Sequence, residues 1–140
     1  MSSEALDVLH EIAEMCPEFE VEAFIFVQST LEYSLEYYGK PAMGAKKHLS
    51  GAELCEGFRL LALEQFGDMA GFTLKQWGLT KTRNIGEVVF KMIEYGVFSK
   101  QDKDTVDDFC DIYDFTEAFA VEEAFSEYEF PQLSAINKES

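Results

Sequence analysis

The first 38 positions of this chain contain no lysine or arginine, and nine acids stand there unopposed. Across all 140 residues, 11 Lys and Arg face 27 Asp and Glu, a net charge of −16 at pH 7. A surface of that sign repels polyanions at long range, which weighs against nucleic acid as a partner. Cysteine is sparse: Cys16, Cys55 and Cys110 are far apart and form no C-x-x-C pair. That excludes a disulfide framework and fits reduced thiols in the cytoplasm. With two histidines in the chain, His10 and His48, a structural zinc site built from close Cys/His pairs is excluded as well. The nine glycines are scattered singly, so no glycine-rich phosphate loop exists. No apolar run approaches the roughly 20 residues that span a bilayer. The opening MSSEALDVLHEIAEM lacks the basic and apolar regions of a signal peptide. The expectation is a cytoplasmic protein without membrane contact.

What is present is a core. Apolar types make up 47% of the chain, enough for one domain without staples. We assign residues 1–130 to a single acidic helical domain and 131–140 to a tail that frays. Charge is segregated along this domain. Residues 39–101 carry nine bases against six acids, whereas 102–129 carry eleven acids against Lys103 alone. A mildly basic middle therefore sits between two acidic flanks. The flanks serve solubility, shield the middle, or meet a basic partner, and charge alone does not choose among these.

Periodicity predicts a mainly α fold of five to six helices with one small β-hairpin. Leu6, Leu9, Ile12 and Ala13 recur at helical spacing up to the break at Pro17. In the next segment Val21, Phe24, Ile25, Leu31 and Leu35 mark one face, while Phe26, Tyr33 and Tyr37 add a second. A helix apolar on two sides belongs at the centre of a fold, and Gly39 and Pro41 end it. Ser50-Gly-Ala-Glu53 is a capping box opening a helix over 51–66. Asp68 is then expected to cap a shorter helix over 69–77. Asn84 precedes Ile85, Val88, Val89, Met92 and Ile93, a full amphipathic match ending at Gly96. Val97-Phe98-Ser99 and the run DFCDIYDF flank a polar loop and predict the hairpin. Thr116 is placed to cap a last helix running to about Tyr128, before Pro131.

The segments His48-Leu-Ser-Gly-Ala-Glu-Leu-Cys-Glu-Gly, Ala62-Leu-Glu-Gln-Phe-Gly, Trp77-Gly and Ile85-Gly-Glu-Val-Val-Phe, with Asp107-Asp-Phe and Tyr113-Asp-Phe, carry a resemblance. Over roughly residues 20–120 the chain resembles a Minf-type family of short hypothetical bacterial proteins. That family has no assigned activity, cofactor or catalytic residue. The resemblance therefore implies a bacterial cytosolic protein and adds no site.

Chemistry-bearing patterns are few. Asp7-x-x-His10 lacks the second copy that a di-iron bundle requires. The acidic run from Asp102 places Asp107 where a calcium loop needs glycine and Tyr113 where it needs glutamate. No G-x-S-x-G elbow occurs. Cys55 reads as a small core residue, His10 as a solvated one, and His48 as a structural neighbour of the Ser50 cap. No catalytic residue, metal ligand or cofactor site is assigned.

Two constellations remain. Tyr33, Tyr37, Tyr38, Phe119 and Phe125 lie in acidic helices with apolar residues on more than one side. Aromatics ringed by charge suit a protein interface, and large cores supply the same pattern. The leading expectation is a non-catalytic protein-binding or adaptor module, its partner another protein or a second copy of the chain. The alternative comes from helix order: 51–66, 69–77 and 84–95 followed by a hairpin resemble a winged helix. Lys75, Lys81, Arg83, Asn84 and Lys91 would then contact nucleic acid. Glu87 on the reading helix and the acidic wing oppose that, and helix order recurs in folds without shared function. An enzyme of unrecognised type stands third.

Removing the Ser50 hydroxyl leaves a first-turn amide without its acceptor. Ser50→Ala should therefore lower stability by about 0.5–2 kcal/mol in chemical denaturation, and unchanged unfolding would place the helix start elsewhere.

Overall fold

The structure, a computed structural model, describes residues 3–39, 49–97 and 105–119. It is mainly helical. In chain order the helices are α1 (Ser3–Met15), α2 (Val21–Tyr37), α3 (Gly51–Phe66), α4 (Ala70–Gln76), α5 (Thr82–Glu94) and the single turn α6 (Phe115–Ala118). Short 3-10 turns occupy Gly67–Met69 and Val106–Phe109.

The two-sided apolar pattern of α2 does place it centrally, with α1, α3 and α5 packed on it. Phe24 and Val27 are fully buried on one side of it, and Phe26 is buried on the other. Phe26 stands edge-on to Phe58 at 5.1 Å between ring centroids and also meets Phe66 at 5.4 Å and Trp77 at 5.9 Å. Around this helix, Leu9 and Ile12 of α1, Phe58 of α3, Leu74 of α4 and Ile85, Val88 and Met92 of α5 close one hydrophobic core. The amphipathic stripe predicted on α5 is the stripe observed, with Ile85, Val88, Val89 and Met92 buried.

The starts of α3 and α5 follow side-chain chemistry. Ser50 and Glu53 form the expected capping box: the Glu53 amide donates to Ser50 Oγ and the Ser50 amide donates to Glu53 Oε1, both at 3.0 Å. α5 starts earlier than predicted. The Asn84 carboxamide oxygen accepts from the backbone amides of Thr80 and Lys81, at 2.9 and 3.1 Å. It thus caps the helix from inside its first turn, and Thr82 is the first helical residue. Asp68 caps nothing. Asp68 lies inside the 3-10 turn Gly67–Met69, and the residue at the N-cap position of α4 is Met69, which offers no side-chain cap.

The predicted hairpin is corrected by its second arm. Among the described residues there is no strand; Phe98, Ser99 and the loop over 100–104 lie outside them. Residues 106–109 form a 3-10 turn instead. The Thr82 hydroxyl donates to the Phe109 carbonyl at 2.5 Å and accepts from the Ile112 amide at 3.2 Å. One side chain from α5 thereby satisfies backbone groups that a strand would pair across a ladder. With no hairpin among the described residues, the winged-helix resemblance lacks its wing there. The last helix is capped by Asp114, whose carboxylate accepts from the Thr116 amide at 2.8 Å, two residues earlier than the expected cap at Thr116 itself. The predicted continuation to Tyr128, and the tail over 131–140, lie outside the described residues.

α2 and α3 cross at Ser34 and Gly57. A Cβ placed on Gly57 would lie 1.8 Å from Ser34 Oγ and 2.9 Å from Ser34 Cβ. Rotating the hydroxyl away would relieve the first contact and leave the second. Alanine gains about 0.5–1 kcal/mol over glycine in a helix interior, and overpacking a dense core costs about 1–3 kcal/mol. Gly57→Ala should therefore be net destabilising in denaturant unfolding, with part of the loss recovered in a Gly57→Ala/Ser34→Gly double variant. A Gly57→Ala protein at least as stable as the parent would refute this close crossing.

Candidate interaction surface

The structure separates the aromatic residues singled out by sequence. Tyr33, Tyr37 and Tyr38 come together at the C-terminal end of α2. Tyr33 and Tyr37, one helical turn apart, stack with their rings 13° from parallel and 6.1 Å between centroids. Tyr37 and Tyr38 meet edge to face at 5.0 Å and 86°. Tyr37 is 56% exposed, while Tyr33 and Tyr38 are half-buried. Phe119 is not part of this surface. It is buried among Tyr113 and Phe115 and so belongs to the core; Phe125 lies outside the described residues.

The tyrosine cluster is bordered by carboxylates, with Arg59 the one base near it among the described residues. Glu32 and Glu36, on the same stretch of α2, are exposed. Across from it, at the start of α3, stand Glu53 and Glu56. Burial, followed by the charges of Glu56 and Glu53, holds the Tyr38 phenol above its ordinary pKa. Arg59 is turned onto Glu56, donating through Nη2 at 2.6 Å and Nε at 3.1 Å. Beneath this edge, Tyr113 donates to the Cys55 carbonyl at 2.6 Å, tying the segment after the 3-10 turn to α3. The arrangement offers aromatic faces and carboxylates. Among the described residues no group of three or more His, Cys, Asp or Glu is placed to hold a metal ion.

The basic residues named for nucleic-acid contact are dispersed. Asn84 is buried and committed to its cap. Its amide nitrogen donates to Glu87 at 3.0 Å. Arg83 bonds Glu87 at 3.3 Å, Asp107 at 3.2 Å and Cys110 Sγ at 3.2 Å. Lys91 pairs with Glu94 at 3.4 Å. Lys75 and Lys81 are exposed, on α4 and before α5. The first turns of α5, which a groove-reading helix would present, are covered: Thr82, Ile85 and Gly86 are buried, and the Phe109 ring lies where a Gly86 Cβ would stand. Sequence pattern carries no sign of this cover, since it depends on a segment more than 20 residues downstream.

A shallow groove of about 280 Å³ runs between the turn after α1 and α5, floored by Cys16, Phe19 and Phe90. Of its rim charges, Lys91 pairs with Glu94 and Glu87 with Arg83 outside the groove, and Glu18 adds a further carboxylate.

Burial pushes the Cys55 thiol up to about 12 from its ordinary 9, and it holds the Tyr113 phenol above its usual range as well. Above pH 9 the unfolded chain releases the Cys55 proton while the native state keeps it. Stability must therefore fall as pH rises from 9 toward 12, by up to about 1.4 kcal/mol per pH unit for one such group. Urea unfolding at pH 8, 9 and 10 should show this slope, and a Cys55→Ala variant should show a shallower one. An equal slope in both proteins would assign the alkaline loss to other groups.

Among the described residues, no helix is long and apolar enough to cross a membrane. Compared with known proteins, the chain matches no protein-family profile, no curated protein and no solved structure.

Proposed function

We propose that this chain is a non-catalytic protein-binding module of the cytosol that captures its partner on the tyrosine surface at the end of α2. The reading rests on one observation: Tyr33, Tyr37 and Tyr38 form a continuous ring cluster whose most prominent member is more than half exposed. Aromatic side chains are enriched in interfaces because each covers a large area while fixing only two torsions. A core explanation accounts for Phe26 or Phe58, which are buried, and does not account for Tyr37. Tyr33 is anchored against the core and stacks on Tyr37, so the exposed ring is held in one orientation before a partner arrives. Such rigidity lowers the ordering cost of binding. The nucleic-acid reading has no observation of comparable weight, because its reading helix is covered and two of its bases are paired.

Tyr37→Ser should leave the helical circular-dichroism spectrum intact, since the ring is outside the core. In a pull-down from native lysate, the parent should retain a defined protein that Tyr37→Ser retains at least about tenfold less, the loss of one good anchor residue. Equal retention by both proteins would refute the surface. A parent that retains nothing and sediments as a concentration-independent monomer would refute the module.

A further inference from the structure

Resting on that reading, we infer that the corner between Tyr37 and Tyr38, with Tyr33 stacked beside it, receives an arginine side chain from a basic segment of the partner. Two features of the surface select this ligand. The first is shape. Tyr37 and Tyr38 stand 86° apart at 5.0 Å, and Tyr33 stacks on Tyr37 with the two planes 13° apart. Flat, exposed π faces attract cations, and a planar guanidinium can lie on a ring face. The second is charge. Glu32 and Glu36 are exposed on the same stretch of α2, and the first 38 residues hold nine acids and no Lys or Arg. A guanidinium lying on a ring still has in-plane N–H donors to offer, and carboxylates at the ring edge can accept them in a fork. Arg59 does not take this place within the chain, because its guanidinium is spent on Glu56 at 2.6 and 3.1 Å. Lysine would gain the charge and lose both the stacking and the fork; a neutral aromatic ligand would lose the charge.

The test uses the full chain and three capped hexapeptides, of arginine, of lysine and of neutral citrulline, titrated by calorimetry near physiological salt, about 0.15 M. Arginine should bind best, lysine about two- to fivefold more weakly, and citrulline not measurably; the ratio reflects one exposed cation–ring contact. Tyr37→Leu, which leaves every charge in place, should weaken arginine binding by about the same factor and bring it level with lysine. Tyr37→Phe, which keeps the ring, should bind arginine within about twofold of the parent. Equal binding of arginine and lysine, unaffected by Tyr37→Leu, would reduce the effect to general attraction by an acidic surface and overturn the inference. Failure of all three peptides to bind would overturn it too. Loss of a pulled-down protein in Tyr37→Ser, alongside peptides that do not discriminate, would keep the interaction surface and discard the arginine receptor.

Discussion

The close crossing of α2 and α3 at Ser34 and Gly57 sets the position of much that follows in the chain. Because Gly57 has no side chain, the two helices approach until the Ser34 side chain meets the α3 backbone. Ser34 is fully buried there, and its hydroxyl has no hydrogen-bond partner among the described residues. That costs about 1–3 kcal/mol by the usual penalty for an unsatisfied buried hydroxyl. The core tolerates it because the approach brings the buried Phe26 onto the buried Phe58 and the half-buried Phe66 and Trp77, and each fully buried ring returns about 1.5–3 kcal/mol. Several rings therefore outweigh one orphaned hydroxyl. The same crossing fixes the first turns of α3, from which the Cys55 carbonyl accepts from Tyr113 and against which the Asp108 backbone lies at Gly51.

A second support holds an acidic segment against an apolar helix. Residues 105–114 carry Asp107, Asp108, Asp111 and Asp114, and the base they meet is Arg83. That pair is weak as an anchor: Asp107 is 84% exposed, and surface ion pairs contribute about 0–1 kcal/mol. Burial of the Phe109 ring, with the Thr82 hydroxyl bridging Phe109 and Ile112, is the larger effect. The segment is held by what lies beneath it, and its charges are left facing outward.

The contrast between what the sequence revealed and what it concealed follows the range of the interactions. Helix periodicity and the Ser50–Glu53 box are local, and both appear as expected. The Asn84 cap is local too, but its acceptor works backward from the third helical position, so counting forward from Asn84 put the helix start two residues late. The second hairpin arm failed for a non-local reason. Phe109, Ile112 and Tyr113 read as a strand in isolation, and it is the Thr82 hydroxyl and the cleft at Gly86 that hold them instead as the end of a 3-10 turn and the irregular segment after it. The candidate surface divided the same way. Tyr33 and Tyr37 are one helical turn apart and so were bound to share a face. Phe119 was indistinguishable from them by sequence, because its burial depends on Tyr113 and Phe115 folding back onto α3.

The tyrosine surface and the charge of the chain bear on each other. An exposed ring cluster invites self-pairing, since a second copy offers the same rings. Here each copy carries −16, and the rings are set among Glu32, Glu36, Glu53 and Glu56. Pairing two such surfaces would bring like charges together where solvent is being expelled and screening is weakest. A cationic segment meets the opposite situation: the field that repels a second copy draws it in, and the rings then add a contact that depends on its shape. On the proposed reading, the acidic excess therefore does two things with one set of residues. It keeps the aromatic surface from closing on itself, and it biases that surface toward a partner of opposite sign.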